Sequence, residues 1–248
     1  MSAVQSEWKF HRFGLIVTGK GEERFITKFF GPLMAWGNCT FSVIHRMGQR
    51  SPRASTSTTL TTVGTTKKIP DRDATEIGIP SRIHLQKGSD RFVIVLDDME
   101  YDRLPQASQV YARYRKALDV MLGPYGARAS VHFLVPMLEA YYFADAASIN
   151  AVLKTSVSDH LSDVEEIRNP KSRLKEIWKG FDEIEHGFAI VSKLDMSHVL
   201  SNPRTCAWLR CLFAWCTQSM SMPFGDEFCL STGIYSITTG PQLNNLDP

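Results

Sequence analysis

The chain has 248 residues, 43% of them hydrophobic and 22% charged, ordinary proportions for a soluble globular protein with a sizeable core. No window approaches 18 apolar residues, and the opening MSAVQSEWKFHR lacks the apolar stretch and small-residue cleavage pattern of a signal peptide. A membrane-spanning helix and a secretory route are therefore not expected, and a cytoplasmic location is. The net charge of +2 is uneven: residues 1 to 91 carry 14 Lys and Arg against 7 Asp and Glu (+7), whereas residues 92 to 248 carry 14 against 19 (−5). A basic N-terminal third beside an acidic remainder suits a polyanion held near carboxylates, or simply a mixed surface with one basic loop.

In chain order, Phe13 to Val17 (FGLIV) is a short buried strand. It ends in Thr18, Gly19, Lys20 and Gly21 before Glu22 opens a helix, which together make a βα unit. That helix places Phe25, Phe29 and Leu33 on one face, with Pro32 kinking its last turn. Glu22 and Glu23 suit the positive end of the helix dipole. Glu22, directly at the strand-to-helix turn, also lies at the sheet edge where ligands bind. Cys39 to His45 is the next strand. Residues 47 to 74 hold clustered Ser, Thr, Arg and Lys and predict a long exposed loop. Its basic residues Arg46, Arg50, Arg53, Lys67, Lys68 and Arg72 would track a phosphate backbone or keep the loop soluble. A weakly patterned helix interrupted by Pro80 is expected within 74 to 87.

Phe92 to Leu96 is an unbroken run of β-branched, aromatic and aliphatic residues, the pattern of a strand buried on both faces. Asp97, Asp98, Glu100 and Asp102 follow at its carboxyl end, where open α/β sheets bind ligands. Carboxylates so crowded repel one another unless a cation or an Arg sits among them, and hard oxygen donors suit Mg²⁺ or Mn²⁺. The alternative is a solvated acidic turn. Gln106 to Leu122 reads as an amphipathic helix and Ser130 to Val135 as another buried strand. A helix over MLEAYYFADAASINAVL then carries Glu139 in its first turn, as a third acid at a strand end or as a dipole-stabilising residue. From Asp159 the chain is helical, over Pro170 to Lys179, Asp182 to Lys193 and Pro203 to Met220, and the tail FCLSTGIYSITT suggests a strand or hairpin around Gly233. Cys206, Cys211 and Cys216 recur every five residues, turning about 140° per step, so they share no helix face and read as core residues. The expected organisation is an α/β core over 1 to 155, a mostly parallel sheet flanked by helices, with a helical C-terminal subdomain over 156 to 248 packed on it.

The segments VTGKGEERF (17 to 25), VLDDMEYDR (95 to 103), PMLEAYYFAD (136 to 145), NPKSRL (169 to 174), EHGFAI (185 to 190) and PRTCAWL (203 to 209) occur in an order that carries a resemblance nearly end to end. The chain resembles TOPRIM-like proteins, specifically a bacterial family of the domain of unknown function 4276 type, whose members often lie beside ATPase genes in phage-defence loci. The resemblance implies a Mg²⁺- or Mn²⁺-dependent nuclease acting on DNA or RNA, the effector subunit of an anti-phage system with an ABC- or AAA-type ATPase partner, and leaves room for a homo-oligomer. It implies Asp97, Asp98 and Glu100 as metal ligands and Glu22 and Glu139 as catalytic acids or further ligands; on charge alone, Lys20 or Lys171 would steady the phosphate. TOPRIM enzymes place a Glu after the first strand and an Asp-x-Asp pair after a later one. Here Thr18 stands at the first position, and the pair becomes Asp98-Met99-Glu100. The competing reading is a catalytically degraded scaffold or regulatory subunit bound to an ATPase. A third, a nucleotide-handling turn at Gly19-Lys20-Gly21, lacks the full P-loop spacing.

Overall fold

The computed structural model describes residues 9–48, 59–64, 66–221 and 226–236. Its centre is a parallel sheet of four strands, β1 (His11–Val17), β2 (Cys39–Arg46), β5 (Arg91–Asp98) and β6 (Ala129–Leu134), in the order β2-β1-β5-β6. These are the four apolar runs of the sequence. β1, β5 and β6 are buried because helices cover both faces, as a sheet of parallel strands with crossover connections requires, whereas β2, at one edge, is mostly part-buried. Side chains alternate across the sheet. Leu15 and Val17 with Ile94 and Leu96 enter one apolar cluster, while Ile16 with Val93 and Val95 enters the other.

β1 runs directly into α1 (Lys20–Phe29), and α2 (Gly31–Ala35) follows with Pro32 in its first turn, where the expected kink becomes a break between two helices. The expected loop over 47 to 74 is corrected in part. Within it β3 (Leu60–Val63) and β4 (Lys67–Pro70) pair as an antiparallel hairpin, which Gly64 helps to turn with φ of +65°. The expected helix over 74 to 87 is a single turn α3 (Asp71–Asp73), a π-helical turn Ala74–Gly78 and α4 (Ile79–Leu85), with Pro80 inside the first turn of α4 rather than breaking it. Buried Asp73 accepts both Nε (2.7 Å) and Nη2 (3.0 Å) of Arg113, fastening this segment to α5 (Ala107–Leu122).

After β6 the chain departs again from expectation. The stretch read as one helix is a 3-10 helix Leu138–Ala144 followed by α6 (Ala146–Leu153). The break falls at Asp145, whose carboxylate accepts the backbone N–H of Asp195 at 2.9 Å, while Asp159 accepts that of Ala146 at 2.7 Å. The remaining helices are α7 (Pro170–Ile177), α8 (Glu185–Val191), the short α9 (Met196–Val199) and α10 (Ala207–Ser219). They do not enclose a core of their own. Leu212, Phe213 and Trp215 of α10 join Phe13, Phe29 and Ile94 in one cluster on one face of the sheet. Buried Glu165 accepts the N–H groups of Trp208 and Leu209 at the start of α10 and the hydroxyl of Tyr141. Fully buried Arg210 donates to the carbonyls of Leu200, Asn202, Thr205, Phe228 and Cys229. It ties the end of the described chain to α10, and residues 226–236 form a 3-10 turn and bends rather than the expected strand. Among the described residues no helix is long and apolar enough to cross a membrane.

Candidate functional site

The carboxyl ends of β1, β5 and β6 lie side by side, and each delivers one buried acid to the same crevice. Glu22 sits in the first turn of α1 and is 6% exposed. Its carboxylate folds back over the turn, so that a Cβ built on Gly19 would lie 1.7 Å from Glu22 Oε2. The space that holds this carboxylate exists only because residue 19 has no side chain.

Asp97 and Asp98 end β5 and, as successive strand residues, point to opposite faces. Asp97 turns toward α5. It accepts Arg103 Nη2 and the Tyr114 hydroxyl, each at 2.9 Å, together with a bond from the Thr18 hydroxyl. Burial pushes the Asp97 carboxyl up, and those partners pull it back down. Asp98 turns toward Glu22, near enough that the negative charge of Glu22 acts directly on its carboxyl. Burial pushes the Asp98 carboxyl well above its ordinary range, and the charges of Glu22, Glu139 and Asp97 act in the same direction. The Asp98 backbone N–H donates to Thr18 Oγ1 at 3.4 Å, and Arg103 Nη1 donates to the Asp98 carbonyl at 2.6 Å. Thr18 and Arg103 thus grip the strand end from both sides.

The third acid, Glu139, lies in the 3-10 turn after β6 and is 4% exposed. Burial pushes it up to about 7 even with the opposing pull of Lys171, whose Nζ is 3.5 Å from Glu139 Oε1 and 3.0 Å from Glu183 Oε2. One turn further on, buried Tyr142 donates to the Gly187 carbonyl at 3.4 Å. Its phenol is held well above the ordinary range by burial and then by Glu139, Asp98 and Glu22, which places it among the same three carboxylates as a neutral donor.

Glu22 Oε2, Asp98 Oδ1 and Glu139 Oε2 are each buried without a hydrogen-bond partner. Three orphaned carboxylate oxygens from three strand ends form a hard, anionic donor set of the kind that fits Mg²⁺ or Mn²⁺. Among the described residues no three His, Cys, Asp or Glu side chains already stand as an ion-holding group. The three orphaned oxygens are nevertheless buried acceptors without donors, a cost that an ion or a proton relieves.

The structure therefore brings together Glu22, Asp98 and Glu139, with Lys171 at the rim. It leaves the other candidates elsewhere. Asp97 is engaged on the opposite face. Glu100 is exposed at the start of the 3-10 turn Tyr101–Gln106, and Lys20 is exposed at the first position of α1. Arg46 pairs with Glu23 at 2.8 Å, and Lys67 and Lys68 are exposed on β4. Arg50 and Arg53 lie outside the described residues. Sequence reasoning missed Tyr142, Arg103 and Tyr114. Tyr142 is hidden in an apolar run that reads as core, whereas Arg103 stands six residues after Asp97 in the acidic stretch and was a foreseeable counter-ion.

Fold and site together define an α/β protein whose parallel sheet gathers, at the carboxyl ends of three adjacent strands, a set of buried acids. A family model described as Domain of unknown function (DUF4276) matches residues 17–212, which include all three acids, and the chain belongs to that family. No curated protein and no solved structure matches the chain.

Proposed function

We propose that this protein is a divalent-metal-dependent nuclease of TOPRIM type in which Glu22, Asp98 and Glu139 hold Mg²⁺ or Mn²⁺. The observation that carries the reading is the set of three buried carboxylates, each with an unpartnered oxygen, at three neighbouring strand ends. Such an ion supplies activation of water and neutralisation of the charge that develops on a phosphodiester. The protein's own groups supply the rest. Burial raises the Glu139 carboxyl to about 7, so an ion that takes this carboxylate displaces a proton near neutral pH. Lys171, shared between Glu139 and Glu183, offers its ammonium to a phosphate oxygen. Tyr142 remains protonated and can donate. Asp97, Arg103 and Thr18 position Asp98 through its own peptide. The resemblance to TOPRIM-like proteins supports the wider role, a cytoplasmic effector that works with an ABC- or AAA-type ATPase against phage and acts on DNA or RNA.

One observation favours a second reading, a scaffold or regulatory subunit of that ATPase. Thr18 occupies the place of the usual TOPRIM glutamate, its hydroxyl is committed to both aspartates, and an alcohol cannot exchange protons as a carboxylate does near neutral pH. The test is cleavage of plasmid DNA, single-stranded DNA and RNA with Mg²⁺ or Mn²⁺, comparing the wild type with Asp98→Ala, each alone and with the ATPase partner. The nuclease reading expects cutting by the wild type only, with an unchanged circular-dichroism spectrum for the variant. Equal cutting by both proteins, or none by the wild type even with its partner, overturns it.

A further inference from the structure

Beside the acidic crevice lies an exposed aromatic and cation pair that the core does not need. Tyr101 is the third residue beyond Asp98 and is 37% exposed. The Arg168 guanidinium sits over its ring, 4.7 Å from the centroid. Arg168 is itself exposed and lies three residues before Lys171, whose ammonium reaches Glu139. Three residues of chain span at most about 11 Å, so the pair joins the segment just after Asp98 to the segment that carries Lys171.

We infer that Tyr101 and Arg168 form a nucleobase platform, which makes single-stranded nucleic acid the substrate class of the site. The inference rests on the metal-site reading for the placing of the phosphate. One face of the part-exposed Tyr101 ring carries the guanidinium, and the base stacks on the other. Arg168 adds a flat cation that stacks on bases and attracts phosphate. A base on this platform leaves its backbone to pass Lys171 toward the acids. In a duplex the bases are stacked on each other and their faces are closed, so the platform selects unpaired strands. The fold contains its own control. Tyr125 is 38% exposed with Arg128 5.0 Å over its ring, the same chemistry, but it lies in the turn before β6, at the opposite end of the strands from the acids.

The test is fluorescence anisotropy with labelled 12-nucleotide single-stranded DNA, single-stranded RNA and a DNA duplex, in Ca²⁺ so that binding is read apart from cleavage. The wild type is expected to prefer the single strands. Tyr101→Ala is expected to lose roughly 5- to 100-fold in affinity for them, the range of one base–aromatic stack. Tyr101→Phe and Tyr125→Ala are expected to bind as the wild type does. Equal binding by wild type and Tyr101→Ala, equal affinity for duplex and single strand, or no binding at all overturns the platform. If Tyr101-dependent binding is found but the wild type never cuts, the nuclease reading fails and the platform stands. If cutting depends on Asp98 but binding is indifferent to Tyr101, the reverse holds.

Discussion

Replacing Glu139 with Gln should make the protein more stable, by an amount that depends on pH. The carboxyl is buried, and it is pushed from an ordinary 4.5 up to about 7 with the attraction of Lys171 already included. An upward displacement of that size converts to roughly 3 kcal/mol. The direction follows from where each state loses its proton. The unfolded chain releases it near pH 4.5 and the folded protein near 7, so between these values the folded state binds more protons and stability falls as pH rises. Gln has the shape of the protonated acid and no charge to lose. Glu139→Gln should therefore match the wild type at pH 4, gain through the interval from 4.5 to 7, and level off at roughly 3 kcal/mol above it by pH 8. In a chain of this length that is a Tm increase of roughly 6 to 12 °C. Urea denaturation with a chelator present, at pH 4.5 and pH 8, reads the difference directly. Addition of Mg²⁺ at pH 8 should then raise the wild-type Tm and leave that of Glu139→Gln nearly unmoved, because an ion that binds only the folded state stabilises by mass action. A variant no more stable than the wild type at pH 8, or a gain of the same size at both pH values, would refute the reasoning.

Two further predictions concern residues that never touch the crevice's contents. Gly19→Ala leaves an ordinary extended backbone, with φ of −105° and ψ of 160°, yet its methyl occupies the position of Glu22 Oε2. The fold should survive while the Mg²⁺-induced rise in Tm is lost; a variant that retains that rise would show that Glu22 has another way to reach the ion. Arg210→Met should cost more than 3 kcal/mol in urea denaturation, because five carbonyls lose their buried donor and each unsatisfied group costs about 1–3 kcal/mol. A loss below 1 kcal/mol would mean that water satisfies those carbonyls.

β1, β5 and β6 were legible because a strand buried on both faces writes a largely apolar run, β2 because its sequence alternates, and Glu22, Asp98 and Glu139 because each stands at or shortly after such a strand end. The division of labour between Asp97 and Asp98 was legible in principle from strand alternation. Glu100 was not, because the chain leaves the strand at Met99 and winds into a 3-10 turn, where period-two reasoning ends. The hairpin of β3 and β4 was hidden by its composition: Thr, Lys and Gly in a two-stranded ribbon with little burial resemble a loop. The helix expected through Asp145 failed because a distant backbone N–H claims that carboxylate, a tertiary demand that no local pattern records. Arg210 sits in an apolar helical run, and nothing in its neighbours announces five carbonyl acceptors.

The pairing of β1 directly with β5 sets an order of events. All of α1, α2, β2 and the hairpin must be made before β5 can settle beside β1, and β6 joins only after α5. Glu139 leaves the ribosome with more than half of the 248 residues already synthesised, and the Gly187 carbonyl that holds Tyr142 over the acids comes later still. Until then the acids stand apart, each hydrated and ionised in the usual way. Synthesis thus withholds the third acid, and with it the full set of buried carboxylates, until most of the core that encloses them has been made.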